Sequence, residues 1–270
     1  MKPIKVTNER TGGNLFHYAH FICDCVYPDF ISEVFSYSDV FREKTIDQTL
    51  GNFSSLYEEI FGCKHHELPT DEFKSLECEH IASRREAQED DAENFSLFRN
   101  FIFNRLNIQE LNIELDKLYA SCPEVILIKR GDPVELISDE ELNNQNPNKT
   151  NGKERREIRG IDKVEEKLQK QYGKNFRAVS LEEVPFRNQV HLFNNAKLII
   201  CAHGACMSNL FFCNEGTKVV EVQAQTAYDQ TIGAGKYKFF DYISKILNLD
   251  HYKLKHNNPF SVIKKVKEIY

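Results

Sequence analysis

The chain has no run of the ~18 apolar residues that a membrane-spanning helix requires. Its opening, MKPIKVTNERTGGN, also lacks the apolar stretch of a secretion signal. A soluble, cytoplasmic protein is therefore expected. There is no basic excess either: the formal net charge is -6 over 270 residues, which argues against a general nucleic-acid binder. Cys23-x-Cys25 has neither CxxC spacing nor a matching second pair, which argues against zinc. With no secretion signal and Cys201 inside an apolar run, the eight cysteines are expected as buried free thiols.

Several catalytic signatures are missing as well. No GxSxG elbow surrounds Ser208, so it lacks the setting of a hydrolase nucleophile. Neither a Walker A lysine motif nor GxGxxG occurs, and the second absence argues against a nicotinamide-dependent enzyme. Nor is there a D-x-D, the pattern by which many sugar-nucleotide enzymes hold a divalent metal on the diphosphate.

What the chain does have is enough apolar residue, 41%, for one large core or two small ones, and its length favours two. The first part, 1–118, offers strands at Ile4–Val6, Val34–Tyr37 and Leu76–His80. It also offers a helix at Asn94–Leu106, with Phe95, Phe98, Ile102 and Leu106 on one face. The acidic Glu89-Asp90-Asp91 lies where carboxylates favour the helix dipole and reads as a solvated cap.

From 119 to 250 the texture becomes an alternation of strand and helix. Strands are expected at Glu124–Lys129, Phe176–Leu181, Leu198–Cys201 and Lys218–Val222, with helices at Lys163–Tyr172 and Phe186–Asn195. That order predicts a parallel sheet with crossover helices. The polar stretch Asn143–Gly152 reads as a loop. Two lysine-bearing helices, Tyr237–Leu247 and Phe260–Tyr270, close the chain. Their basic faces read as solvated, with the segment 251–270 packing back on the first domain as the second reading.

Candidate chemistry gathers in two places. In Ala196–Val222, strand, glycine turn, short helix and second strand follow one another, and Gly204 and Ala205 sit where helix amides meet an anion. Arg130 and His203 are expected at the carboxyl ends of the strands, and Arg155, Arg156 and Arg159 either converge with them there or form a solvated loop pairing with Glu154 and Glu157. Arginine's planar fork suits a diphosphate. Toward the N-terminus, His17, His20 and Asp24 have helical spacing, which suits a helix-capping or core role and equally lets a carboxylate orient an imidazole or itself act as a base.

Taken together, Asn14, His20, Asp24, Arg130, Arg155-Arg156, Phe186…Gln189 and His203-Gly204-Ala205…Asn209…Phe212…Glu221 resemble the family 61 glycosyltransferases over most of residues 12–225. His17 satisfies one of that family's N-terminal spacings and His20 the other. The resemblance implies a GT-B-like α/β fold, two Rossmann-like domains with parallel sheets facing a cleft, and an inverting, metal-independent transferase needing no cofactor. It implies a UDP-sugar donor, with xylose or N-acetylglucosamine foremost, and a glycan hydroxyl as acceptor. Small soluble members suit a bacterial or virus-infected cytoplasm. On this reading Arg130, Arg155, Arg156, His203, Gly204, Ala205, Asn209 and Glu221 bind the donor, and Glu221 reaches its ribose. Asn14 and His17 lie on the acceptor side. Asp24, or His20 oriented by it, removes the acceptor proton. The alternative from another class is a nucleotide- or glycan-binding module that keeps the fold without turnover.

Overall fold

The computed structural model describes residues 2–9, 15, 18–84, 91–110, 122–132, 156–223 and 239–270. Described residues up to Leu106 form one compact unit, and those from Asn107 form a second. The polar stretch 143–152 lies outside the described residues.

The first unit holds strands β1 (Pro3–Glu9), β2 (Asp39–Glu43), β3 (Lys64–Leu68) and β4 (Glu79–Arg84). All are parallel, in the order β3-β2-β1-β4. In β1 the alternate residues Ile4, Val6 and Asn8 point inward. The strand expected at Val34–Tyr37 is instead a single 3-10 turn, Val34–Ser36, entered through Glu33 at φ 55°. Pairing starts only at Asp39. The strand expected from Leu76 begins at Glu79.

Between these strands run α1 (Tyr18–His20), a π-helical stretch Phe21–Val26, α2 (Tyr27–Ile31), α3 (Ser54–Phe61), α4 (Thr70–Ser75) and α5 (Asp91–Arg105). The stripe expected on α5 is buried: Phe95, Phe98 and Ile102 are no more than 1% exposed. Tyr27 meets Phe95 and Phe98 edge-on, with centroids 5.2 and 5.3 Å apart.

A fully buried ion pair pins β2 to α2. Arg42 and Asp29 are both 0% exposed and bonded to each other. Asp29 also accepts from Asn8 Nδ2 at 2.9 Å and from the Tyr57 hydroxyl at 2.7 Å. Both oxygens of that carboxylate are therefore hydrogen-bonded, which is the condition under which a buried pair holds together.

The second unit holds β5 (Val125–Lys129), β6 (Phe176–Ser180), β7 (Leu198–Ala202), β8 (Lys218–Val222) and β9 (Asp250–Leu254). They too are all parallel, in the order β6-β5-β7-β8-β9. The chain goes from β5 out to β6, then crosses back to β7 and continues outward. The switch point therefore falls between β5 and β7. One sheet face, with Leu127, Ile200 and Val220, packs on α6 (Ile161–Tyr172) and α9 (Pro259–Ile269) through Val164, Leu168, Val262 and Val266. The closing helix is thus seated in the core of the second unit, where Val262 and Val266 complete that cluster.

The remaining elements are α7 (Phe186–Asn195), α8 (Phe239–Ile246) and a 3-10 helix, Ala205–Phe212, where a short α-helix was expected. All eight cysteines are free and five are buried. No helix among the described residues is long and apolar enough to cross a membrane. This mixed α/β architecture with two parallel sheets is consistent with a GT-B-like fold.

Candidate functional site

Arg130 follows β5 and His203-Gly204 follows β7, so both lie at the carboxyl ends of the strands that flank the switch point. Gly204 has φ 155° and ψ -162°, a region that side-chain-bearing residues essentially do not occupy. A Cβ there would lie 1.9 Å from Arg130 Nη2 and 3.7 Å from Arg156 Nη1. The missing side chain is what lets the Arg130 guanidinium close on the turn, and Arg156 Nη1 lies beside the same space. Arg130 Nη2 also donates to the His203 carbonyl at 3.2 Å, which ties the cation to the loop.

The backbone just after Arg156 is tied down by a device that sequence reading missed. Asn257, just before α9, accepts from the Arg159 amide at 2.8 Å and donates to the Glu157 carbonyl at 2.8 Å. Its place, 98 residues beyond Arg159, gave no local signal. Arg155 lies outside the described residues.

Ala205 opens the 3-10 helix and is exposed. Asn209 is fully buried and donates to Gln189 Oε1 at 3.1 Å. Gln189 in turn donates to the Leu181 and Val184 carbonyls at 3.0 and 2.9 Å. These two residues brace the turn from inside. A hydrogen bond from Cys201, aided by the Arg130 charge, holds the Cys206 thiol below its usual range despite its burial.

Glu221 does not reach solvent or a ligand directly. Its side chain is 1% exposed, with Oε1 2.7 Å from His203 Nδ1 and Oε2 2.8 Å from His251 Nε2. Burial pushes its carboxyl pKa up, but the two imidazoles outweigh that and bring it down to about 2. In this structure Glu221 faces His203. Beyond it, His251 faces Ser244 Oγ at 3.1 Å and Asp241 Oδ1 at 3.6 Å. Among the described residues, Glu221, Asp241 and His251 bring ligand-type atoms within 4.8 Å of one another. Lys253 Nζ already lies 2.5 and 2.6 Å from the two Asp241 oxygens, so a cationic partner occupies that carboxylate.

In the first unit, His20 Nδ1 lies 2.5 Å from Asp24 Oδ2. The pair straddles the start of the π-helical stretch, a rare geometry often found at functional sites. Asp24 is 1% exposed and His20 31%, so the imidazole is the member that solvent reaches. Asn14 and His17 lie outside the described residues.

No curated protein matches the chain in sequence. The family described as Glycosyltransferase 61 does match, over residues 18–220. That span holds the His20–Asp24 pair, Arg130, Arg156 and the His203-Gly204 turn. Because the match covers most of the chain and the strand-end turn lies within it, this protein belongs to glycosyltransferase family 61 and is a glycosyltransferase.

Proposed function

We propose that the enzyme transfers a sugar, xylose or N-acetylglucosamine, with inversion from a UDP-linked donor to a glycan hydroxyl, without a metal ion. The single observation that carries this reading is the convergence of Arg130 and Arg156 on the space a Gly204 side chain would fill. Two planar cations at a strand-end turn suit a diphosphate. As the anomeric C–O bond breaks, negative charge builds on the departing UDP, and groups fixed in place to meet it lower the barrier. His203 adds a third polar group, oriented by Glu221.

The acceptor hydroxyl attacks the anomeric carbon and gives up its proton to His20. Asp24, buried against His20 Nδ1, fixes the tautomer that leaves Nε2 as the base. Between the two, His20 is the base because burial takes the Asp24 carboxylate away from a substrate. The free thiols fit a reducing cytoplasm.

Calorimetric titration with UDP tests the site. Arg130→Ala and Arg156→Ala are each expected to weaken UDP binding by about 10- to 100-fold, the range for one charge-assisted contact of about 1.5–3 kcal/mol. Transfer that survives EDTA supports the metal-free mechanism. Unchanged UDP affinity in both variants refutes the donor site, and an absolute manganese requirement refutes its metal independence.

A further inference from the structure

Cys201 and Cys206 play no part in the mechanism above, yet they bracket the His203-Gly204 turn, one in β7 and the other in the first turn of the 3-10 helix. Cys201 is 2% exposed. Cys206 is half-buried and follows the exposed Ala205. Its Sγ reaches back across the turn to the Ala202 carbonyl, 3.6 Å away, and Cys201 Sγ–H donates to it. The two sulfurs therefore meet at the base of the turn. Arg130, tied to the His203 carbonyl, adds a positive charge nearby, against which the carboxylates of Glu182 and Glu221 act more weakly. The Cys206 thiol is the one held below its usual range, whereas its hydrogen bond to Cys206, with burial, pushes the Cys201 thiol up. Elsewhere burial raises Cys25, and brings Cys63 to about 11. The thiolate is the reactive form of cysteine, so Cys206 is the nucleophile among these.

We infer that Cys206 and Cys201 are a peroxide-reactive dithiol, Cys206 the attacking sulfur and Cys201 the resolving one, whose disulfide closes around the donor turn. The Cys206 thiolate attacks one oxygen of hydrogen peroxide. An S–O bond forms as the O–O bond breaks, and the departing hydroxide takes up the proton that Cys206 gave up, leaving as water. Cys206 is then a sulfenic acid. The Cys201 sulfur next attacks the Cys206 sulfur. The S–S bond forms as the S–O bond breaks, and the Cys201 proton leaves with the hydroxide as a second water. Two thiols have lost two electrons, and the peroxide has gained them.

A disulfide holds its sulfurs about 2.05 Å apart, well inside a hydrogen-bonded contact. Closing it draws the start of the 3-10 helix onto the end of β7. Gly204 and the His203 carbonyl that Arg130 holds both lie inside the new ring. Oxidation should therefore disturb the cradle and weaken donor binding, a consequence that rests on the donor-site reading of this turn. In a reducing compartment such a disulfide is transient and serves as a sensor.

The test treats the reduced protein with stoichiometric hydrogen peroxide, blocks remaining thiols with N-ethylmaleimide and sequences the tryptic peptide 198–218 by mass spectrometry. A Cys201–Cys206 disulfide should form before any other cysteine is oxidised. UDP affinity should fall on the order of tenfold and return with dithiothreitol. In Cys201→Ser the reaction should stop at the Cys206 sulfenic acid, which dimedone captures. In Cys206→Ser neither species should form, and peroxide should leave UDP affinity alone. Circular dichroism verifies that each variant is folded, and the wild-type experiment needs no variant. Failure to form this disulfide, or earlier oxidation of another cysteine, overturns the inference. So does an oxidised wild type whose UDP affinity is unchanged. A protein that forms the disulfide but binds no UDP in either state refutes the donor site and supports the dithiol.

Discussion

Replacing Gly204 with alanine tests the donor cradle most directly. Two effects combine. The backbone there, at φ 155° and ψ -162°, strains any L-residue by about 1–3 kcal/mol. The new Cβ would lie 1.9 Å from Arg130 Nη2, so the guanidinium must swing away and release its bond to the His203 carbonyl. Arginine is flexible and its far end can move, so the clash need not unfold the protein. It instead removes the cation from the place it serves. Gly204→Ala should lower stability by about 1–3 kcal/mol by urea denaturation and weaken UDP binding about 10- to 100-fold by calorimetry, as expected for one lost charge-assisted contact. Gly173→Ala is the control: at φ 55° it is also strained, but a Cβ there meets nothing within 4 Å. It should cost some stability and leave UDP affinity alone. A folded Gly204→Ala protein that binds UDP within twofold of wild type would refute the geometry.

Three further outcomes are expected. His20→Gln should lower the transfer rate by roughly 10²- to 10⁴-fold with UDP affinity retained, and Asp24→Asn should lower it by misorienting the ring; equal rates in wild type and His20→Gln would remove His20 as the base. Glu221 has a folded-state pKa depressed from 4.5 to about 2, so its stabilisation is present above pH 4.5 and is lost as pH falls toward 2. Urea midpoints across that window should show a loss of about 3 kcal/mol in the wild type that Glu221→Gln lacks. Arg42→Ala should destabilise the first unit by about 3–5 kcal/mol, because Asp29 is left charged and buried, whereas Arg42→Met with Asp29→Leu should recover much of it by chemical denaturation.

The legible parts of this fold were those whose partners are water or the core. VILIK and LIICA read as buried strands because four and all five of their residues are buried. β2 escaped because Arg42 breaks its apolar alternation, and its burial makes sense only beside Asp29, 13 residues earlier. β9, DHYKL, escaped because it is charged at Asp250 and Lys253, both exposed, and its half-buried His251 faces Glu221 and Asp241 in an ionic network. The candidate site divides in the same way. Arg130 and His203-Gly204 stood out as strand-end residues, whereas their convergence with Arg156 depends on Asn257, and the burial of Glu221 depends on two histidines 48 residues apart. No periodicity encodes such pairings. They arise from strand order.

The Asn257 clamp bears on how fragments of this enzyme should be cut. The stretch that matches the family ends at 220, a natural place to trim an expression clone. Such a clone would drop Asn257, and with it the staple that steadies the arm bearing Arg156. It would also drop the outermost strand and the two helices that follow β8. At its other end, trimming to residue 18 removes β1, which pairs with both β2 and β4. A truncated product that binds nothing would therefore report on missing scaffolding, and the tags used to purify the enzyme belong on linkers that leave both ends free to dock.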